Sequence, residues 1–232
     1  MRIDLLTLFP EMFPPILGAS IIKRAILKKV VEVRVHDLRD WSRDKHQKVD
    51  DRPYGGGPGM VMRPEPFFDA VADLKKQNSL EPRVILLSPQ GERLTQGKAA
   101  ELARRPWLIL LCGHYEGVDE RVRIGLAQEE LSIGDYVLTC GELPAMVLVD
   151  SVARLLPGSL GDEQSPEEES FQGNLLEYPQ YTRPEDYRGL RVPEILLSGD
   201  HEAVAEWRRL QALRRTIVKR PDLFYGPADS SA

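Results

Sequence analysis

Two glycine-bearing turns carry the side chains best suited to chemistry. Tyr115 and Glu116 lie in CGHYEG, after the apolar run from Trp107 to Leu111, and Tyr136 and Glu142 lie in LSIGDYVLTCGELP. Phenols and carboxylates at the ends of strand-like runs, beside glycines that let the backbone approach a ligand, form a close-fitting pocket. Its ligand would be small, planar and partly charged. The same spacing also describes two buried strands with ordinary turns, and Trp107 to Pro144 alone does not choose between the readings. Downstream, Asp150 and Arg154 stand four apart on a helical stretch. As a surface pair they would contribute ~0.3–0.5 kcal/mol.

The elements that must position these residues alternate along the chain. IDLLTLF reads as a buried strand ending at Pro10. Ile16 to Lys29 places Ile21, Ile22, Ala25 and Ile26 at helical spacing, and VVEVRVHDL alternates as a strand from Val30 to Leu38. Together they predict a βαβ unit and a parallel pair. Arg39 to Gly59 is too polar and glycine-rich to pack as an element. Its Arg43, Lys45, Lys48 and Arg52 favour a phosphate-rich partner over a plain connector. A helix from Pro64 to Lys76 follows. Then come a strand Val84–Leu87, a tight turn Ser88–Gly91 and a helix Gln96–Ala103. Strand Trp107–Leu111, helix Glu120–Leu126, strand Tyr136–Thr139 and helix Leu143–Leu156 complete the series. The pattern predicts an α/β domain over residues 1–160 with a largely parallel sheet. Ligands in such sheets sit beyond the carboxyl ends of strands, so Ser88–Gly91, Gly113–Gly117 and Ile133–Asp135 are the turns to watch. With no G-x-G-x-x-G and no Walker sequence present, dinucleotide and nucleoside-triphosphate sites are disfavoured.

Residues 161–174 are polar, acidic and rich in Gly, Ser and Pro, which reads as an interdomain linker. The remainder, 175–232, loses the alternation and predicts a small, mainly helical domain. Asp200 is a plausible N-cap for a helix from His201 to about Lys219. Val204, Trp207, Leu210, Leu213 and Ile217 make its apolar stripe. Arg208, Arg209, Arg214, Arg215, Lys219 and Arg220 crowd its other faces without acidic partners, a footprint that points to phosphates.

Composition sets outer limits. The chain has 232 residues, 42% hydrophobic and 29% charged, as in an ordinary globular protein. No apolar run reaches the roughly 18 residues of a membrane span, and the first residues lack a signal-peptide pattern, so cytoplasmic residence is expected. The formal net charge of −5 argues mildly against nucleic acid, although distribution matters more than the sum. Cys112 and Cys140 have no metal-ligand spacing, and His36, His46, His114 and His201 are scattered, so no structural metal is expected.

The chain as a whole resembles the bacterial tRNA (guanine-N1)-methyltransferase family of the SPOUT superfamily. The resemblance runs from FPEMF (Phe9–Phe13) to KRPDL (Lys219–Leu223). It is carried by DDRPYGGGPGM, LSPQG, CGHYEGVDER, SIGDYVL, GELPAM, DSVARLLPG, YTRPEDY and LLSGDH, in that order. It implies S-adenosylmethionine as methyl donor and a deep trefoil knot as its seat, a topology that general rules disfavour. It implies cofactor contacts from Ser88, Pro89, Gly113, Tyr115, Glu116, Ile133, Gly134, Asp135, Tyr136, Val137, Leu138, Gly141 and Pro144. The implied substrate is tRNA with a guanine just 3′ of the anticodon, preceded by another guanine. The family also implies a homodimer whose active sites are shared between subunits. Magnesium is associated with the family's activity, though the sequence shows no ligand set for it.

Guanine nitrogen 1 carries a proton and becomes nucleophilic when a carboxylate removes it. A fixed arginine stabilises the charge that then develops on the neighbouring carbonyl oxygen. Arg154 matches the family's arginine in DSVAR. Where the family has an aspartate before Ser-Phe, this chain has Glu169 before Ser170-Phe171, which makes Glu169 the candidate base and Glu168 the fallback. A second departure is Cys140, where the family commonly has glycine. Cysteine takes positive φ less freely than glycine, so the turn is expected to differ or to crowd the methionine end of the cofactor, with binding expected to survive. Two other readings follow from the same residues: a knotted methyltransferase acting on a ribose hydroxyl or another base, and a tRNA-binding protein without catalysis.

Overall fold

The computed structural model describes residues 1–160 and 169–224. It divides into two compact units, Met1–Gly161 and Asp162–Ala232. Glu167, Glu168 and most of the expected linker lie outside the described residues.

The first unit is built on a five-stranded sheet. Its strands are β1 (Arg2–Thr7), β2 (Glu32–Asp37), β5 (Arg83–Arg93), β6 (Trp107–Cys112) and β7 (Glu129–Ser132), in the order β2-β1-β6-β5-β7. All four pairings are parallel. Two-residue strands β3 (Asp50–Asp51) and β4 (Val61–Met62) form a separate antiparallel pair. Strands β1 and β6 are buried throughout, as near-continuous apolar runs require in a sheet covered on both faces.

Successive side chains of these strands divide between two cores. Ile3, Leu5, Leu108, Leu110 and Cys112 pack with α2 (Ser20–Leu27), α4 (Gln96–Ala103) and α6 (Glu142–Ala153). Leu6, Trp107, Ile109 and Leu111 pack with α3 (Pro64–Lys76) and α5 (Glu120–Gly125). Helix α3 presents Phe67, Ala70, Val71 and Leu74, a 3.6-residue stripe that buries one side only. The expected first βαβ unit is present, but its helical stretch is split. A short α1 (Pro14–Leu17) precedes α2, and Ser20, the first residue of α2, takes φ of 48°.

The polar face of β1 is closed by Asp4. This fully buried carboxylate accepts from Arg2 Nε at 2.6 Å and from Trp107 Nε1 at 2.6 Å, and pairs with His36 Nε2 at 2.7 Å. Burial alone would raise its pKa, but the hydrogen bonds from His36, Arg2 and Trp107 outweigh burial and hold it below the ordinary value.

Three sequence expectations change. Ser88–Gly91 is no tight turn between elements. It is a bulge inside β5, because Leu87 and Glu92 both face Leu131 and pairing resumes beyond it. Tyr136–Thr139 is no strand. The strand is Glu129–Ser132, whose Glu129 is held by Lys98 at 2.9 Å and by Arg83. Arg39–Gly59 is less open than its composition predicts. Leu38–Trp41 forms a 3-10 turn, Val49 is buried, and β3 closes on β4.

The second unit contains an antiparallel pair, β8 (Asp186–Tyr187) with β9 (Leu190–Arg191), and the long helix α7 (His201–Lys219). Asp200 caps α7 as expected, its side chain accepting from Ala203 N–H at 3.0 Å. The buried positions of α7 are Ala212 and Thr216, with Thr216 Oγ1 receiving Leu176 N–H at 2.8 Å. The expected apolar stripe therefore splits: Val204 and Trp207 are half-buried, while Leu210, Leu213 and Ile217 remain exposed. Two of the six cations do have acidic partners, Arg209 with Glu206 and Arg220 with Asp222.

Candidate active site

A concave site of the first unit lies beyond the carboxyl ends of β6 and β7 and against the bulge within β5, where a parallel sheet places its ligands. It is a cavity of about 260 Å³. One wall is the β5 bulge with Ser88 and Pro89. A second is Gly113–Val118, and a third runs from Ile133 to Gly141 and on to Pro144 in α6.

Close backbone approach makes the walls meet. Gly141 N–H donates to the Gly113 carbonyl at 2.8 Å, and His114 pairs with Cys140 in an antiparallel bridge. A Cβ on Gly141 would lie 2.7 Å from Gly113 nitrogen and 2.8 Å from Cys112 Cα, so only glycine fits. Gly91 is constrained in the same way in the bulge, where a Cβ would overlap the Glu130–Leu131 peptide. The second wall is sewn to the glycine-rich loop by Glu116 N–H to Met60 O at 3.0 Å and Met62 N–H to Gly117 O at 2.9 Å. The Glu116 side chain packs directly on Gly59, which takes φ of 79°. Tyr115 takes φ of 59°, and its N–H donates to His114 Nδ1 at 2.7 Å.

The third wall is tied to the first strand through Glu142, the residue after Gly141. Thr7 Oγ1 donates to Glu142 Oε1 at 2.5 Å and accepts from Phe9 N–H at 2.8 Å. The Phe9 ring then meets the His114 ring at 4.9 Å between centroids. Glu142 is completely buried, and its Oε2 has no hydrogen-bond partner among the described residues. Burial, and then the neighbouring Glu142 carboxylate, push the Cys140 thiol above its ordinary pKa. Burial does the same more strongly to Cys112.

Of the thirteen residues expected to touch a cofactor, twelve line this cavity: Ser88, Pro89, Gly113, Tyr115, Glu116, Ile133, Gly134, Tyr136, Val137, Leu138, Gly141 and Pro144. Asp135 does not line it; its carboxylate pairs with Arg93. Gln90 and His114, within turns that the sequence singles out, also line it, as do Glu120, Arg123, Glu130, Ser132 and Thr139, which escaped the sequence reading. His114 was legible as the residue between the two turn residues Gly113 and Tyr115. Glu130 was hidden because two consecutive glutamates do not look like a strand. Cys140 is not among the residues with positive φ, so the backbone there does not require glycine.

The candidate catalytic pair belongs to different units. Arg154 is half-buried at the C-cap of α6, its N–H bonded to Asp150 O at 3.2 Å, and does not line the cavity. Glu169 is half-buried in the second unit. In the 43–52 loop, Arg43 pairs with Asp69 at 2.7 Å while its side chain stays largely exposed. No group of three or more His, Cys, Asp or Glu side chains placed to hold a metal occurs among the described residues.

Residues 1–226 match the family model described as tRNA (Guanine-1)-methyltransferase TrmD. The chain is similar to the tRNA (guanine-N(1)-)-methyltransferase of Halalkalibacterium halodurans, with 60% identity over 97% of this chain and 92% of that protein. It is also 60% identical to the protein of that name from Geobacillus kaustophilus, over 97% of this chain and 91% of the relative. A relative from Bacillus cereus is 58% identical over 97% and 92% of the two chains.

Proposed function

Because the chain belongs to the tRNA (Guanine-1)-methyltransferase family, we propose that it methylates nitrogen 1 of the guanine immediately 3′ of the anticodon, when another guanine precedes it. The observation that carries this reading is the cavity walled by the β5 bulge and the Gly113–Gly141 suture. It fits S-adenosylmethionine by chemistry. Leu86, Leu87, Leu131, Ile133 and Leu138 offer apolar surface to an adenine ring, and the backbone of residues 133–141 offers donors and acceptors. The Glu116 carboxylate complements a cationic sulfonium. When bound, S-adenosylmethionine supplies an electrophilic methyl group.

The chain's own residues supply the rest. Glu169 removes the proton from guanine nitrogen 1, and its extra methylene relative to aspartate is absorbed by the segment that carries it. Arg154 stabilises the negative charge that develops on the guanine carbonyl oxygen, an interaction stronger in the transition state than in the ground state. The bonds joining Met60–Met62 to Glu116–Asp119, and Gly113 to Gly141, are consistent with a deep trefoil knot at the cavity. Residues 175–232 serve as the tRNA-binding domain. Exposed Val137 on the cavity wall and exposed Leu143 and Val147 on α6 support a homodimer with active sites shared between subunits. No helix among the described residues is long and apolar enough to cross a membrane, in keeping with work on tRNA in the cytoplasm.

One assay tests the reading. Labelled S-adenosylmethionine is incubated with tRNA carrying or lacking the tandem guanines, and the modified nucleoside is identified. 1-Methylguanosine formed only with the tandem guanines is the expected product. A ribose methyl or another methylated base would replace this reading, and binding without incorporation would leave a non-catalytic tRNA-binding protein.

A further inference from the structure

The second unit holds a cavity of its own, of about 360 Å³. That is within the range of about 300–1,000 Å³ typical of small-ligand sites. Its walls are unusual for a small helical unit. Tyr178, Tyr181 and Trp207 bring three aromatic rings, and Arg183 and Arg208 bring two guanidinium groups.

The rings are arranged as a jaw and not as a closed core. Tyr181 and Trp207 stand 6.4 Å apart between centroids with their planes at 53°. Tyr181 is 48% exposed, whereas an aromatic serving only as core would be covered. The Arg208 guanidinium lies 4.8 Å from the Tyr178 ring centre, which fixes its plane, and its Nε is buried without a hydrogen-bond partner among the described residues. Arg183 forms no ion pair among the described residues. Gln180 and Glu185 add hydrogen-bonding groups to the same lining.

Aromatic faces, guanidinium planes and a few amide or carboxylate groups around one open cleft are the means by which proteins hold an unstacked nucleobase. A duplex cannot enter, because its bases are already stacked on one another. We propose that this cleft is a second nucleobase site, which takes one unpaired base of the tRNA other than the methyl acceptor. The base stacks on Tyr181 and Trp207, its polar edge meets Gln180 and Glu185, and Arg183 meets the adjoining phosphate. The acceptor itself is excluded because neither Arg154 nor Glu169 lines the cleft. The proposal rests on tRNA being the substrate, and it assigns part of the affinity for tRNA to stacking in place of charge.

The test uses the full-length protein. Tyr181→Ala is expected to weaken tRNA binding about fivefold to a hundredfold, the loss associated with one stacked base. Tyr181→Phe keeps the ring and is expected to stay within about twofold of wild type. S-adenosylmethionine affinity and melting temperature, unchanged in both variants, show that the fold survives. Trp207 offers an independent readout. A single-stranded oligoribonucleotide is expected to quench its fluorescence, isolated by subtracting the Trp207→Phe variant, while the same sequence in a duplex does not.

Equal tRNA affinity in wild type and Tyr181→Ala overturns the site, even where the wild type forms 1-methylguanosine. Equal quenching by single strand and duplex overturns it too. A change in oligomeric state with tRNA affinity intact would make the cleft an interface between copies of the chain and also overturn it. Selective quenching by the single strand without any methyl transfer supports the site and instead removes the catalytic reading.

Discussion

Gly141 and Gly113 lie back to back, joined by one hydrogen bond of 2.8 Å, with too little space between them for a single methyl group. Gly141→Ala places a Cβ against the backbone of residues 112 and 113, which cannot swing aside as a side chain would. Overpacking of this kind costs about 1–3 kcal/mol. The variant is expected to lose cofactor affinity by at least tenfold in calorimetric titration and to melt at lower temperature. Wild-type affinity in a folded Gly141→Ala protein would remove this suture from the pocket's architecture.

The catalytic assignment is tested at Glu169. Glu169→Gln keeps shape and polarity but removes the base, so turnover is expected to fall about 10²–10⁴-fold while S-adenosylmethionine binding is unchanged. Glu169→Asp, which restores the side chain usual in the family, is expected to retain activity. Single-turnover methyl transfer on saturating tRNA measures both, and undiminished transfer by the glutamine variant would sink the assignment.

Acid stability is tied to Asp4. Its folded-state pKa is below the ordinary 3.8, so the stabilisation it provides is fully present above that value. This stabilisation is lost as pH falls through the lowered folded value, because the unfolded chain takes up the proton first. Asp4→Asn leaves the buried Arg2 guanidinium without its anion, at a cost of about 3–5 kcal/mol near neutral pH. The difference in melting temperature between wild type and variant is therefore expected to shrink as pH is lowered from 5 to 3. A difference that stays constant over that interval would mean that Asp4 does not titrate with folding.

Much of this architecture could be read from the chain. Helices Pro64–Lys76 and Gln96–Ala103 have the bounds their patterns predict, because each carries an amphipathic stripe and a clear start signal. The failures have a common physical origin. Glu129 lies in a strand because Lys98 and Arg83 satisfy it from residues 31 and 46 positions away, which no local window reveals. The apolar residues of 136–139 looked like that strand, yet Val137 is 84% exposed and its neighbours line a cavity. On α7 the buried face follows Ala212 and Thr216, so the larger apolar side chains misplace it. Most of the cavity lining was recognisable from motifs. Residues such as Glu120 and Arg123 enter it only through the path of the backbone.

Cys140 offers a chemical probe of the pocket. Because burial and Glu142 raise its pKa, little thiolate is present at neutral pH. Iodoacetamide is expected to alkylate it more slowly than a free cysteine at pH 7.5, faster as pH passes 9, and more slowly again with S-adenosylhomocysteine present. Cys112, with no exposed surface, is expected to react only after unfolding. Rapid labelling of Cys140 at neutral pH, unaffected by ligand, would contradict the arrangement; peptide mass spectrometry distinguishes the two sites.

Thr7→Val removes the hydroxyl that serves both Glu142 and Phe9 N–H, leaving buried groups unpaired at about 1–3 kcal/mol each. Weaker cofactor binding is expected with it, through Phe9 and His114, and Thr7→Ser is expected to restore both. Loss of stability alone, with cofactor affinity intact, would confine the link to folding.

That link between Thr7 and Glu142 spans 135 residues of sequence. At translation rates of roughly 5–20 residues per second, the first strand is made on the order of ten seconds before the helix that completes its site. During that interval the strand's end has no carboxylate to meet and the cavity lacks its third wall. Donor binding therefore cannot assist the early stages of folding on the ribosome. It becomes available as a stabilising influence only once nearly the whole first unit has emerged.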